Sequence, residues 1–166
     1  MKRNSFLAVC ALLGFVAAAH ADDLQDAQKL YDHGSYAEAL DLVGKSLGAD
    51  PGNVQARFLK GLILMKEKKE SDAIAVFSAI TDDHPEYPQP YNNLAVIYAG
   101  RGDYERARSA LLSAIAADPQ DAMLRKNLGD LYGRLAIRSY TEALGLKSDP
   151  ALEGKLRKVE SAFGRP

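Results

Sequence analysis

The 166-residue chain contains one cysteine, no tryptophan and three histidines. The cysteine, Cys10, lies in an apolar stretch near the start, so the rest of the chain can form no internal disulfide. Beyond residue 21 only His33 and His84 remain, and each precedes a Gly or Pro typical of an exposed loop. No residue spacing resembles a metal site or a nucleophile with its base. We therefore predict no catalytic residues, no metal site and no cofactor, and hence a protein that is not an enzyme.

A surplus of either charge is also lacking, since 21 Lys and Arg stand against 22 Asp and Glu. Nucleic-acid-binding proteins usually carry a basic surplus, so no nucleic-acid partner is predicted. The charge is nevertheless uneven, because residues 22–50 hold seven acids and two bases whereas residues 122–166 hold nine bases and five acids. Opposite ends of neighbouring copies could attract each other. The simpler interpretation is a scatter of solvated surface charges.

The first residues follow the pattern of an export signal. Lys2 and Arg3 precede an apolar run from Phe6 to Ala18, and Ala19-His20-Ala21 ends the run with small residues around a larger one. We expect cleavage after Ala21, which makes residues 1–21 a signal peptide and the mature protein periplasmic or secreted. One alternative is a retained membrane anchor, although a span needs about 20 apolar residues. Another is lipid modification of Cys10, which the large neighbouring Val9 disfavours.

Equivalent residues recur every 34 positions after the apolar run. The columns are Pro51, Pro85 and Pro119; Ala39, Ala73 and Ala107; Ala27, Gly61, Ala95 and Gly129; Leu30, Leu64, Tyr98 and Tyr132; and Val43, Phe77 and Leu111. Within each unit the apolar residues fall at spacings of three and four, which predicts two amphipathic helices. Because neither helix could bury its apolar face alone, stacked antiparallel helix pairs are expected. The fold class predicted is therefore all-α.

The third unit shows the pattern most fully. It contains Tyr91, Leu94, Ala95, Tyr98, Gly102, Tyr104, Ala107, Leu111, Ala114 and Pro119. This unit resembles the tetratricopeptide repeat, and the resemblance extends over about residues 23–150. It implies a right-handed superhelical solenoid of antiparallel helix pairs, with units at about 22–53, 54–87, 88–121 and 122–149.

Two units depart from the family pattern. The second unit has Lys68-Lys69-Glu70 where the family usually places a glycine turn, so a tighter or strained turn is expected there. In the fourth unit Pro150 lies 31 positions after Pro119, three fewer than the 34 of the repeat. The segment that should form the turn is therefore three residues short. Either its second helix is shortened, or residues 123–146 form one long helix. Residues 150–166 are predicted to form a capping helix that frays from Ser161, and its apolar stripe comprises Leu152, Leu156, Val159 and Phe163.

The resemblance implies that the first helix of each pair lines an inner groove that binds a peptide or helix of a partner. The candidate groove residues are Gln28, Tyr31 and Asp32; Gln55, Phe58, Leu62 and Met65; Asn92, Val96 and Ala99; and Lys126, Asp130 and Arg134. Phe58, Leu62 and Met65 are predicted to face either a partner's apolar side chains or the first helix pair.

The polar candidates have separate predicted roles. Asn92 could hold a partner's backbone through its amide, and Lys126 with Arg134 could bind an acidic group. Family members that bind the carboxyl end of chaperones use Lys, Asn and Arg in this groove. The matching positions here are Leu24, Gln28, Leu59, Gln89 and Asn93, so recognition of that kind is not expected.

Together these features predict a non-enzymatic adaptor or scaffold of the bacterial cell envelope. It would bind another polypeptide, with an envelope protein expected as the partner and no small-molecule substrate. The alternative function is a homo-oligomeric structural module that assembles head-to-tail through its acidic and basic ends.

Overall fold

The computed structural model describes residues 23–164, so the predicted signal peptide over 1–21 lies outside the described residues. All regular secondary structure within 23–164 is helical, which confirms the all-α class. The helices are α1 (23–32), α2 (Tyr36–Ala49), α3 (Val54–Lys66), α4 (Glu70–Asp83), α5 (Pro88–Gly100), α6 (Tyr104–Ala117), α7 (Ala122–Leu146) and α8 (Pro150–Phe163). None of the helices in this range is both long and apolar enough to cross a membrane. The described residues form two compact units, which divide between Asp82 and Asp83.

The core of the first unit joins helices α1, α2 and α3. Its fully or almost fully buried members are Ala27, Ala39, Val43, Leu59 and Ile63. Ala27 and Ala39 belong to the small-residue columns of the repeat, and neither exposes any side-chain surface. Small side chains at these positions allow the helix axes to approach closely.

Helices α3 and α4 make a similarly close contact through a glycine. A Cβ atom placed on Gly61 would lie 2.5 Å from Cε1 of the Phe77 ring. Phe77 is fully buried, so its ring has no free space into which it could move. The small residue predicted at position 61 is therefore required by the packing of this helix pair.

The same turn closes α1, α3 and α5, once in each of the first three repeats. Gly34, Lys68 and Gly102 have positive φ angles of 82°, 59° and 74°. At the second turn the amide of Lys68 donates to the carbonyl of Met65 at 3.1 Å, and the next amide donates to the carbonyl of Leu64 at 2.9 Å. This pair of hydrogen bonds is the Schellman arrangement that ends many helices. Lys68 thus adopts a glycine-like conformation, and the strained turn expected from the sequence is present.

In the second unit, α5 packs against α6, and both helices begin at residues suited to a helix start. Pro88 is the first residue of α5, where its missing N–H costs nothing. Before α6, the side chain of Asp103 accepts a hydrogen bond from the amide of Arg106 and so caps the helix. Leu94 of α5 and Ala107 of α6 are both buried.

Helix α7 is a single helix of 25 residues, which resolves the two alternatives for the fourth unit in favour of the long helix. The side chain of Asp121 caps its start by accepting from the amide of Met123 at 2.7 Å. Helix α8 then packs on α7, with the ring of Phe163 directly over Gly133. Helix α8 ends at Phe163. The fraying predicted from Ser161 stays a prediction.

Candidate functional site

The second unit contains a concave cleft of about 290 Å³ between α5 and α7. Its lining residues are Asn92, Ala95, Val96, Ala99 and Gly100 of α5, Leu111 of α6, and Asn127, Asp130, Leu131 and Arg134 of α7. Spacings of four and three place Asn92, Val96 and Ala99 on one face of α5. The structure brings these residues together with Asp130 and Arg134 in one cleft. Their role in binding stays a prediction.

A hydrogen bond between two amide side chains joins the walls of the cleft. Nδ2 of Asn127 donates to Oδ1 of Asn92 at 2.8 Å. Each amide has one acceptor and two donor hydrogens, so Asn92 keeps both of its donors and Asn127 keeps its acceptor. Sequence reasoning missed Asn127, because it lies one position beyond the residue that shares a repeat column with Asn92.

The charged residues at the cleft differ in whether they form an ion pair. Nζ of Lys126 lies 2.8 Å from Oδ2 of Asp130. The Lys126 side chain is largely exposed, whereas that of Asp130 is about half-buried. Lys126 is not among the lining residues, so its main contact is with Asp130. Arg134 has no hydrogen bond or ion pair among residues 23–164, and its guanidinium is open to solvent. The joint binding of an acidic group by Lys126 and Arg134 stays a prediction, and within residues 23–164 only Lys126 of the two has an ion-pair partner.

The groove candidates of α1 make contacts within the first unit. Nε2 of Gln28 donates to Oδ1 of Asp32 at 2.9 Å, and both residues are exposed. Tyr31 is half-buried and lies against Tyr36, with ring centroids 5.7 Å apart. Tyr31 therefore helps to pack α1 on α2.

The apolar candidates of α3 are partly used in packing. Phe58 lies 5.7 Å from Phe77 between ring centroids, at an interplanar angle of 56°. The sequence placed Phe58 on a face separate from the interior of its own helix pair, but Gly61 lets the Phe77 ring come close enough for Phe58 to contact it. Leu62 and Met65 are half-buried, and Gln55 at the start of the helix is exposed.

Acidic and histidine side chains do not form a candidate metal site in the described part of the chain. Within residues 23–164 there is no group of three or more His, Cys, Asp or Glu that could hold a metal ion. His84 is half-buried, and its Nδ1 lies 3.5 Å from Oε1 of Glu86. The α5–α7 cleft is taken as the candidate site because five of the predicted groove residues line it.

Comparison with known proteins supports the repeat assignment. Two family models, both described as tetratricopeptide repeat, match residues 24–89 and 64–131. Human protein O-mannosyl-transferase TMTC3 is 29% identical to this chain over 126 residues. The aligned region covers 75% of this chain but only 14% of that relative.

Two solved structures share the fold. A thermophilic tetratricopeptide-repeat protein of Thermus thermophilus is 24% identical with a TM-score of 0.65, covering 88% of this chain and 84% of that one. The first repeat domain of Spaghetti (RPAP3), bound to the HSP90 peptide SRMEEVD, is 19% identical with a TM-score of 0.65, covering 70% and 93%. Residues 24–131 therefore consist of tetratricopeptide repeats, a family whose members generally serve as non-catalytic scaffolds for protein interaction.

Proposed function

We propose that this protein is a non-enzymatic adaptor, exported to the bacterial cell envelope, that binds an extended peptide segment of a partner in the α5–α7 cleft. The observation that carries the proposal is the Asn92–Asn127 hydrogen bond across an otherwise largely apolar cleft. The RPAP3 domain, which has a similar fold, is bound to a peptide in its solved structure.

The cleft has the chemistry that an extended peptide requires. An extended backbone presents N–H donors and C=O acceptors that need partners once water is removed. Asn127 retains an acceptor and Asn92 retains donors, so the pair can bond both kinds of group. Val96, Ala99 and Leu131 supply apolar surface for side chains beside this backbone. An apolar lining with a few convergent polar groups is typical of binding clefts.

The size of the cleft limits the part of the partner that it can hold. Ligand pockets in proteins span about 300–1,000 Å³, and the cleft lies at the lower end of this range. It therefore fits a few residues of a peptide rather than a folded domain. The partner is expected to present this segment in a loop, a terminus or an unfolded region.

A pair of matched variants tests the cleft. Val96 lines the cleft and is 50% exposed, whereas Leu112 on α6 is outside the lining and 45% exposed. Binding of a random octapeptide library is measured by fluorescence polarisation for the wild type, Val96→Glu and Leu112→Glu. We expect Val96→Glu to lose most binding and Leu112→Glu to retain it. Equal binding by all three proteins would show that the cleft is not the peptide site.

Export has a separate test. Expression of the full sequence in a Gram-negative host, followed by mass determination of the periplasmic protein, should give a chain that begins at Asp22. A full-length chain held in the membrane fraction would instead support the retained anchor.

A second candidate function is head-to-tail self-association, which the uneven charge of the sequence favours. Residues 122–166 include Lys147, Lys155 and Lys158, which are exposed and have no ion pair among residues 23–164. Attraction between these and the acids of residues 22–50 would weaken with salt. Sedimentation velocity should then show oligomers at low salt and monomers at high salt. A monomer under both conditions would exclude this candidate.

A further inference from the structure

We propose that the first three turns of α7 bind a short amphipathic helix of another polypeptide, which takes the place of the second helix that the fourth repeat lacks. The docking surface comprises Arg125, Gly129 and Tyr132, which are exposed and which spacings of four and three place on one face of α7. None of these three residues lines the α5–α7 cleft, so helix binding here is independent of peptide binding there.

The first three repeats each cover their first helix with a second one. The second helices are α2, α4 and α6, and they place Ala39, Ala73 and Ala107 in the interior with no exposed surface. In the fourth repeat α7 continues through the position of the turn as a single helix to Leu146. The face of α7 that a second helix of this repeat would cover therefore lacks its usual partner.

The repeat columns show what the missing helix leaves exposed. The column of small residues is buried in the first three repeats, but its fourth member, Gly129, is exposed. In the next column Leu64 is 5% exposed, and Leu30 and Tyr98 are half-buried. The fourth member of that column, Tyr132, is 46% exposed. A large exposed side chain beside an exposed glycine on one helix face is a surface that another molecule can cover.

Helix α8 does not cover the docking surface. Its last residue, Phe163, lies over Gly133, and the helix ends there. A Cβ atom added at Gly129, about one turn earlier on α7, would meet no atom of residues 23–164 within 4 Å. The part of α7 before Gly133 runs from residue 122 to residue 132, which is roughly 16 Å at about 1.5 Å per residue. A helix of about three turns fits this length.

The second repeat indicates which kind of helix the docking surface fits. Arg57 and Gly61 of α3 lie two repeats before Arg125 and Gly129 of α7, so both helices carry the same pair of residues at the same positions. In the second repeat the ring of Phe77, on α4, lies directly over Gly61 and is fully buried. The helix that docks on α7 is therefore expected to resemble α4.

Glycine at position 129 favours an aromatic side chain on the bound helix. In the first and third repeats the small residue is alanine, and Val43 and Leu111 stand at the position of Phe77. Where the small residue is Gly61, the absence of a Cβ atom leaves room for the Phe77 ring. By the same geometry, the bound helix should place a phenylalanine over Gly129.

Arg125 sets the charge expected at one end of the bound helix. It uses Nη2 to donate to the carbonyl of Pro119 at 2.7 Å, and a guanidinium has five N–H donors in all. A second helix runs antiparallel to the first helix of its pair, so its C-terminal end would lie beside the start of α7. That end carries partial negative charge, to which acidic side chains add. Helix α4 has such an end, since its last residues are Asp82 and Asp83.

A peptide copied from α4 tests the proposal. It comprises residues 73–83, and a hydrocarbon link between the exposed positions 75 and 79 holds it helical, because a free helix of this length is unstable in water. Fluorescence anisotropy measures the binding of the labelled peptide to the purified protein, and we expect saturable binding. Phe77→Ala in the peptide should weaken binding by at least about tenfold, because the aromatic contact is lost.

Two glycine variants of α7 locate the binding surface. Gly129→Ala should weaken binding of the peptide about tenfold, because the added Cβ atom would occupy the space of the aromatic ring. The variant should fold as the wild type does, since this Cβ meets no atom of residues 23–164 within 4 Å. Gly145→Ala is the matched control, because Gly145 is also exposed in α7 and equally uncrowded but lies outside residues 122–132. It should leave the affinity within about twofold.

A double-mutant cycle tests the charge at the end of the bound helix. Changing both terminal acids of the peptide, Asp82→Asn and Asp83→Asn, should weaken its binding to the wild type about two- to fivefold. The same change should have little further effect on binding to Arg125→Gln, because the partner of the acids is then absent.

Three results would overturn the proposal. The first is an absence of saturable binding by the linked peptide. The second is equal affinity of the peptide for Gly129→Ala and the wild type, which would place the peptide elsewhere on the protein. The third is dimerisation of the wild type in sedimentation velocity that Gly129→Ala abolishes, because a second copy would then occupy the surface. None of these results affects the octapeptide assay of the cleft.

Discussion

Replacing Lys68 with glycine should stabilise this protein. Lys68 occupies the turn between α3 and α4 with a φ angle of 59°, in the left-handed region that favours glycine. The equivalent positions one repeat before and one repeat after are glycines with φ angles of 82° and 74°. The Lys68 side chain forms no ion pair among residues 23–164, so its removal loses little besides the backbone constraint.

The magnitude follows from two opposing backbone terms. A residue with a Cβ atom in the left-handed region costs about 1–2 kcal/mol. Glycine has more freedom in the unfolded chain, which costs about 0.4–1 kcal/mol on folding. At Gly34 and Gly102 an added Cβ would meet no atom within 4 Å, so crowding contributes nothing at this kind of turn. Lys68→Gly should therefore raise the free energy of unfolding by about 0.5–1 kcal/mol.

Urea unfolding followed by the helical circular dichroism signal measures this change. Lys68→Ala serves as a control, because it removes the long side chain but keeps the Cβ atom, and it should shift stability by less than about 0.5 kcal/mol. Gly102→Ala should produce the opposite change and lower the free energy of unfolding by about 0.5–1 kcal/mol. The strain argument is refuted if Lys68→Gly leaves the midpoint unchanged, or if Lys68→Ala stabilises as much as Lys68→Gly.

Three further changes follow from the packing and the caps. Gly61→Ala should lower the free energy of unfolding by about 1–3 kcal/mol in urea titrations, because the added Cβ would collide with the Phe77 ring. Gly48→Ala is the control and should not destabilise the protein, because a Cβ added there meets no atom within 4 Å. Phe163→Ala should release α8 from Gly133, seen as faster hydrogen exchange in α8 with α6 unchanged. The amide and guanidinium of Arg106 hold the pKa of Asp103 below its ordinary value. The ionised Asp103 carboxylate therefore contributes stability above the pKa of the unfolded chain, and this contribution is lost as the pH falls through the pKa of the folded protein. The free energy of unfolding of Asp103→Asn should therefore fall less steeply in acid than that of the wild type. Parallel pH profiles of the free energy of unfolding for the two proteins would contradict this.

The helix pairs were predictable because their signals are local. Apolar residues at spacings of three and four indicate helices, and the small residues at Ala27 and Ala39 mark where helices touch. The contact of Phe58 with Phe77 was not predictable, since it depends on how far Gly61 lets two helices approach. Asn127 was missed for a similar reason. Comparing positions 34 residues apart pairs Asn92 with Lys126, whereas the residue that hydrogen-bonds to Asn92 is the next one, Asn127.

The fourth unit shows why the same position forms a turn in one repeat and a helix in another. Continuing the column of Gly34, Lys68 and Gly102 by one further repeat leads to Ala136, which lies inside α7. After Lys68 the full spacing to Pro85 leaves enough chain for a turn and a second helix, so even a lysine is forced into the left-handed conformation. After Ala136 the chain to Pro150 is three positions shorter, and alanine has the highest helix propensity, so the helix continues. The continuous helix places Arg134 well before the end of α7, where the backbone is fixed by hydrogen bonds on both sides. A turn at position 136 would have put Arg134 among the last residues of a helix, where helices fray. Because α7 continues past position 136 instead, the backbone of Arg134 is held in place beside the cleft.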